Sequence, residues 1–267
     1  MNALALDRLE QTTLELAAVA GVETLGGFRT DLVTEDKGGE TYDPVTAADR
    51  AAEGAMRRLI EERHPEHGVI GEEYGADRAD AEFVWVLDPI DGTRAYLAGL
   101  PVWTTLIALR HRGEPVLGAI TQPYLGEVFV GSAGGARLVR TGEADRPLRV
   151  RACPRLTEAV IATTDPDLFD GAELGAWRQV RAAARLARLG CDAYAYAMVA
   201  LGRLDLVVET GLKPWDVEAA VPLLEGAGGF VCDWRGERIG REGGQTAIGG
   251  DRRCLEEALV ALRRSAK

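Results

Sequence analysis

The chain has 267 residues, with 31 Lys and Arg against 42 Asp and Glu, and a formal net charge of −11. That balance argues against a nucleic-acid or anionic-membrane partner, because both call for a basic face. Apolar residues at 46% and charged residues at 27% describe an ordinary soluble globular protein, long enough for one large domain or two modest ones.

The N-terminal segment reads as an amphipathic helix over 4–28, without the basic start or apolar run of a signal peptide. No window approaches a membrane span. The four cysteines, Cys153, Cys191, Cys232 and Cys254, lie far apart and form no C-x-x-C pair. The expectation is a cytoplasmic protein with reduced thiols and no zinc ribbon. A second helix is predicted over 47–63. His64-Pro-Glu-His67 follows it and reads as a polar loop, since Pro65 breaks any helix there. With His111 these are the only histidines, so chemistry is expected to come from oxygen ligands.

Strands are predicted at 68–72 and 83–87. Successive antiparallel strands follow at 104–110, 116–122 and 127–131, with turns between them. The polar, Gly-rich segment 134–146 reads as a loop and a subdomain boundary, dividing the chain into 1–145 and 146–267. Beyond it, strands and helices alternate: a strand at 159–163, a helix at 171–185, a short strand or turn at 188–191 and a helix at 194–201. A strand at 204–209, a helix at 216–226, a strand at 229–233 and a helix at 255–264 complete the pattern, which is that of an α/β layer. Pro222 inside the 216–226 helix predicts a kink.

Four acidic clusters stand at element boundaries: Asp43 and Asp49 in YDPVTAAD, Glu72 and Glu73 in VIGEEYG, Asp88 and Asp91 in VLDPIDGT, and Asp216 in KPWDVEAA. Strand ends and helix starts converge on one cleft in α/β proteins. Mg²⁺ takes hard oxygen ligands in near-octahedral geometry, so a gathering of carboxylates suits metal-assisted phosphoryl transfer. The Ile90 carbonyl lies between Asp88 and Asp91 as a further oxygen, and the backbone N–H groups of Gly92 and Thr93 can hold phosphate oxygens. Each cluster also has a structural reading. Thr46-Ala-Ala-Asp49 is a capping box, Asp216 can be an N-cap, Glu72-Glu73 can be a solvated turn, and Asp-Pro and Asp-Gly are ordinary turn dipeptides.

Gly71-Glu72-Glu73, the run WVLDPIDGT at 85–93 and LKPWDVEAAVPLLEGAGG at 212–229 together resemble the inositol monophosphatase superfamily of Mg²⁺-dependent phosphatases. The resemblance implies a layered α-β-α-β-α sandwich, usually a homodimer, acting on a small phosphorylated metabolite with two or three Mg²⁺ per site. It implies metal ligation by Glu72, Asp88, the Ile90 carbonyl, Asp91 and Asp216. It also implies a water oriented by Thr93 and Asp49, with Glu72 counted among the catalytic groups. Phosphate contacts fall on Gly92 and Thr93, and a substrate contact on Glu209. Lys37, in the Gly-rich stretch KGGE, is a candidate for a loop that closes over the site.

The substrate is read from fewer residues. Asp192, in GCDAYAY, adds negative charge where a neutral polyol pocket has none, and with Glu209 it suits a cationic alcohol. LPVWTTLIAL at 100–109, TTDPDLF at 163–169 and the 190–216 segment resemble the histidinol-phosphatase branch. The leading expectation is therefore histidinol phosphate, with inositol 1-phosphate as the alternative. A phosphatase for 3'-phosphoadenosine phosphates and a non-catalytic regulatory binding protein are the further readings. Arg188 is expected either to reach the substrate or to pair with Asp192.

Overall fold

A computed structural model describes residues 3–30, 34–36 and 44–267; Lys37 and Asp43 lie outside them. Helix α1 (Ala3–Gly27) is followed by β1 (Thr34–Asp36), β2 (Pro44–Thr46) and α2 (Ala47–Arg63). Next come β3 (Gly68–Gly71), β4 (Gly75–Asp77), β5 (Phe83–Asp91), the short α3 (Thr93–Leu97), β6 (Thr104–His111), β7 (Glu114–Gln122), β8 (Glu127–Ser132), β9 (Gly135–Val139) and β10 (Arg146–Pro147). The remainder is β11 (Val160–Thr163), α4 (Gly171–Ala183), β12 (Leu186–Leu189), α5 (Tyr194–Ala200), β13 (Leu206–Leu212), α6 (Pro214–Val217), α7 (Ala220–Gly226), β14 (Phe230–Cys232), β15 (Gly244–Gly249) and α8 (Arg252–Leu262).

Two large sheets result. One has the order β10-β9-β8-β7-β6-β5-β3-β4 and is antiparallel apart from the β3–β5 pair. The other has the order β12-β11-β13-β15-β14, with β11 parallel to both neighbours. Helices α1 and α2 cover one face of the first sheet, where Leu16, Ala20, Met56 and Ile60 meet Trp85, Leu87, Ile107 and Leu117. Helices α5 and α7 lie between the sheets, so that Val86, Leu106 and Ile120 share a core with Tyr196, Leu223, Val207 and Ile248. Helices α4 and α8 close the outer face of the second sheet through Trp177, Val180, Leu255 and Leu259. The order of layers is α-β-α-β-α, as expected.

Three segments differ from the sequence reading. The 134–146 stretch is not a loop throughout, because β9 pairs with β8 and β10 with β9. Ala133-Gly134 makes the hairpin turn, and only Leu138 of β9 turns fully inward, which leaves a short strand without a clear apolar alternation. β15 is a further strand in a stretch where the sequence suggested none; flanking glycines mask its apolar centre. The predicted 216–226 helix starts at Pro214 and divides into α6 and α7. Pro222 has no N–H for the Glu218 carbonyl, yet Glu218 and Ala219 keep helical torsions (φ −65°, ψ −31° and φ −63°, ψ −30°), so the axis bends without unwinding.

Close backbone approach fixes α7 on the first sheet. A Cβ at Gly118 would fall 2.1 Å from the Ala219 carbonyl oxygen, and one at Gly131 would fall 2.5 Å from Leu223 Cα. The bend is also tied to β6, since the Arg110 guanidinium forms a buried two-pronged ion pair with Glu218.

At the opposite end of β5 from the acidic residues, all three histidines join one column. His64 stacks on His67 at 4.5 Å, His67 on Phe83 at 4.9 Å, and Phe83 on His111 at 4.7 Å. The 64–67 segment is therefore not a merely polar loop. His67 is buried, and its Nδ1 accepts from Trp85 Nε1 at 3.1 Å. Burial, reinforced by the His64 charge, pushes its imidazole down to about 4. The folded state thus refuses a proton that the unfolded chain accepts near pH 6.5. This stability contribution is complete above about pH 6.5 and is lost as pH falls toward 4. His67→Gln keeps an acceptor for Trp85 but cannot titrate. Urea unfolding at pH 7 and pH 5 should show wild type losing more stability on acidification than the variant; parallel losses would exclude the effect.

Candidate active site

β5 carries its apolar run Val84–Leu87 through the core and then delivers Asp88, Pro89, Ile90 and Asp91 to a cleft. The strand continues through Pro89 to Asp91 because its register against β6 shifts between Asp88 and Asp91. Thr105 Oγ1 donates to the Pro89 carbonyl at 2.7 Å and holds the irregular segment down. Gly92 follows at φ +79° and leads into α3. A side chain there meets two obstacles: the left-handed torsion, and Asp192, whose Oδ2 would lie 2.9 Å from a Cβ.

The cleft has a volume of about 260 Å³ and is lined by Glu72, Asp88, Ile90, Asp91, Gly92, Thr93, Asp192, Glu209 and Asp216 of the predicted residues. Arg94, Thr164, Leu168, Tyr196, Thr210 and Leu212 complete it. A larger cavity of about 900 Å³ opens between α1, the β8–β9 hairpin and the end of α7, but contains none of the predicted residues. The acidic residues singled out from the sequence line the smaller one.

Each acidic group is set by backbone. Glu72 follows β3, and its N–H donates to the Leu87 carbonyl of β5 at 3.2 Å. Asp91 Oδ2 accepts from the Ala193 N–H at 2.8 Å and from Thr104 Oγ1 at 3.3 Å, which joins the first sheet to the segment before α5. Asp216 is the third residue of α6 rather than its N-cap. Its Oδ2 reaches back to the Lys213 N–H at 2.7 Å. Thr93 Oγ1 donates to the Ile90 carbonyl at 3.0 Å.

Asp88 is 2% exposed, and its Oδ1 accepts no hydrogen bond. Burial first, then the charges of Glu72, Asp91 and Asp216, hold its carboxyl well above the usual range. Burial and Asp192 do the same to Asp91, against the pull of the Ala193 N–H and Thr104. The lining offers oxygen donors and no imidazole or thiol. Concentrated negative charge, an orphaned buried carboxylate oxygen and an all-oxygen donor set are the chemistry of a hard divalent cation.

Glu209 and Asp192 add further carboxylates to the lining. Glu209 is buried, with Oε1 accepting from the Thr164 N–H at 2.8 Å and Thr164 Oγ1 at 3.1 Å, and Oε2 from Thr163 Oγ1 at 3.2 Å. Burial outweighs these donors and pushes its carboxyl up to about 8. Asp192 sits at φ +43°, a torsion that Asp tolerates better than most residues. Burial raises its carboxyl to about 6, and the charge that opposes this rise is that of Arg94.

Two predicted residues stand apart from the lining. Arg188 is exposed on the edge strand β12, and the charge facing Asp192 is Arg94 rather than Arg188. Asp49 is 1% exposed. Its Oδ2 accepts from the Thr46 N–H at 2.7 Å and Thr46 Oγ1 at 2.6 Å, so the capping box read from the sequence is formed. The sequence reading missed Tyr196, Arg94, Thr164 and the buried Glu53 beneath the Glu72 turn. Glu53 carried a signal: a carboxylate on the apolar face of α2, between Ala52 and Met56. His64, Glu66 and His67 bring possible ligand atoms within 4.8 Å of one another. Their imidazole planes are parallel within 5° and stacked, so their in-plane lone pairs do not converge on one ion.

The sequence matches the inositol monophosphatase family over residues 5–267. It is 41% identical to the chloroplastic bifunctional phosphatase IMPL2 of Arabidopsis thaliana, over 96% of this chain and 75% of that protein. It is 35% identical to a histidinol-phosphatase of Chlorobaculum parvum, over 85% of this chain and 86% of that protein. The solved structure of an inositol monophosphatase from Zymomonas mobilis superposes with a TM-score of 0.86 at 40% identity, covering 98% of this chain and all of that one (100%). The chain belongs to the inositol monophosphatase family.

Proposed function

We propose that the protein is a Mg²⁺-dependent phosphomonoester hydrolase that releases phosphate from histidinol phosphate. The observation that carries this reading is the meeting, in one cleft, of the carboxylate cluster at the end of β5 with two further carboxylates, Asp192 and Glu209. Glu72, Asp88, the Ile90 carbonyl, Asp91 and Asp216 are the groups to hold the cation. When bound, Mg²⁺ supplies Lewis acidity toward the phosphoryl and leaving oxygens.

The chain's own groups supply the rest. The backbone N–H groups of Gly92 and Thr93, where β5 passes into α3, are the groups to hold phosphate oxygens. Thr93 Oγ1 donates its proton to Ile90 and keeps lone pairs to accept one from an attacking water. Asp49, anchored by Thr46 outside the lining, is the carboxylate that the family resemblance pairs with Thr93 to orient that water and favour loss of its proton. Attack on phosphorus is direct, without a phosphoenzyme. Asp192 and Glu209 face the amine and imidazole of the alcohol, where a cation relieves their mutual repulsion. The Thr164 hydroxyl on Glu209 and the Tyr196 hydroxyl of the lining also suit a neutral polyol. With the Zymomonas mobilis relative, they make inositol 1-phosphate the second reading.

Replacing Asp88 by Asn removes one of the mutually repelling charges. Without metal, thermal melting should show the variant at or above the wild-type Tm. The Mg²⁺-induced rise in Tm should vanish, and kcat should fall by more than about a hundredfold. A variant that turns over and responds to Mg²⁺ normally would sink the cation assignment.

Phosphate release measured on L-histidinol phosphate and inositol 1-phosphate separates the two substrates. Asp192→Asn keeps a residue that tolerates the local torsion and removes the charge. Its KM for histidinol phosphate should rise roughly tenfold, about 1.4 kcal/mol, with a smaller change for inositol phosphate. Equal losses for both would leave Asp192 without a role in choosing a cation.

A further inference from the structure

The structure assigns Glu53, a residue outside the cleft lining, as the positioning residue that sets where Glu72 enters the cleft; the assignment rests on the reading of Glu72 as a cation ligand. Glu53 lies on α2 one turn beyond Asp49 and is completely buried. A buried carboxylate needs charge-assisted partners, and those that hold Glu53 belong to α2 and to the turn that carries Glu72. Its Oε2 accepts from the Glu73 N–H at 2.7 Å, and its Oε1 from the Tyr74 N–H at 3.2 Å. Arg57, one turn further along α2, donates through Nε to Glu53 Oε1 at 2.7 Å. Arg57 also donates through Nη2 to the Gly75 carbonyl, so the pair grips both ends of the turn.

The fit is close. A Cβ at Gly71 would lie 2.1 Å from Glu53 Oε1, so the carboxylate rests against bare backbone. Tyr74 of the turn also reaches α2, its hydroxyl donating to the Arg50 carbonyl at 3.4 Å, while β4, which follows, is an edge strand exposed along its whole length. Glu72 is thus pinned on two sides. Its own N–H is taken by Leu87 of β5, and the next two N–H groups are taken by Glu53. Partners that orient a ligand typically contribute a factor of about 10–100 in metal affinity without touching the metal.

The test is Mg²⁺ binding to metal-free protein by isothermal titration calorimetry, with melting temperatures measured alongside, for wild type, Glu72→Gln, Glu53→Gln and Gly71→Ala. Gln keeps the size of Glu53 but turns an NH₂ toward groups that are themselves donors. Gly71→Ala leaves Glu53 intact and pushes a methyl into its carboxylate, which covers the case in which Glu53→Gln fails to fold. The expected result is Mg²⁺ affinity weakened about tenfold or more in Glu53→Gln and in Gly71→Ala, approaching that of Glu72→Gln. Titrating Mg²⁺ in the activity assay should then recover most of kcat at saturation, a KM-type defect for the metal that simple destabilisation would not produce. If Glu72→Gln weakens Mg²⁺ binding while folded Glu53→Gln and Gly71→Ala bind it like wild type, the positioning role is overturned and the cation site stands. If Glu72→Gln itself binds normally, both fall.

Discussion

Like-charge crowding at the end of β5 is the constraint around which the molecule is arranged. Two ionised carboxylates about 4 Å apart repel by about 4 kcal/mol at an effective dielectric near 20. A whole domain is stable by only about 5–15 kcal/mol. Asp88 is held among Glu72, Asp91 and Asp216, with burial adding to the cost. Such a group cannot be kept by side-chain packing alone, since each member would swing toward solvent. The structure answers with backbone. β5 is paired on both sides, Asp91 is tied to Ala193, Asp216 is clasped by the start of its own helix, and the Glu72 turn is hydrogen-bonded from β5 and from α2.

The same constraint explains why so small a cleft needs five layers. Its walls come from both sheets and from the helices between them, so the sheets must hold a fixed relation to one another. Close backbone contact at Gly118 and Gly131 allows α7 to sit directly on the first sheet, and the Arg110–Glu218 pair ties the bend before it to β6. The break at Glu218 and Ala219 leaves α6, and with it Asp216, at the cleft while α7 continues into the core.

Much of this was legible in the sequence because the relevant signals are local. The 47–63 helix carries its own capping box, and the apolar run before Asp88 ends in two aspartates that line the cleft. The alternation after residue 150 announces a layered α/β arrangement. What was not legible depends on distant partners. β15 is small and glycine-flanked, and it becomes a strand because β13 and β14 flank it. β9 shows no clear apolar alternation and is carried by β8. In the cleft, Asp192 is part of the lining, but the charge that faces it, Arg94, lies almost a hundred positions away in sequence. Arg188, close in sequence, points elsewhere. His67 looked like loop polarity and is a buried hydrogen-bond acceptor for Trp85.

Helix α2 holds Asp49 and Glu53 on one face, four residues apart, with Arg57 four further on. Each added residue turns a helix by about 100°. A single insertion or deletion between Thr46 and Asp49 would therefore rotate every later side chain out of register, carrying the Glu53–Arg57 clasp away from the β3–β4 turn at the same time as it displaced Asp49. Among descendants of this sequence, α2 is free to exchange side chains on its solvent face and to vary beyond Arg63, but its first three turns are held to a fixed length. In this stretch, the molecule tolerates substitution far better than it tolerates a change of frame.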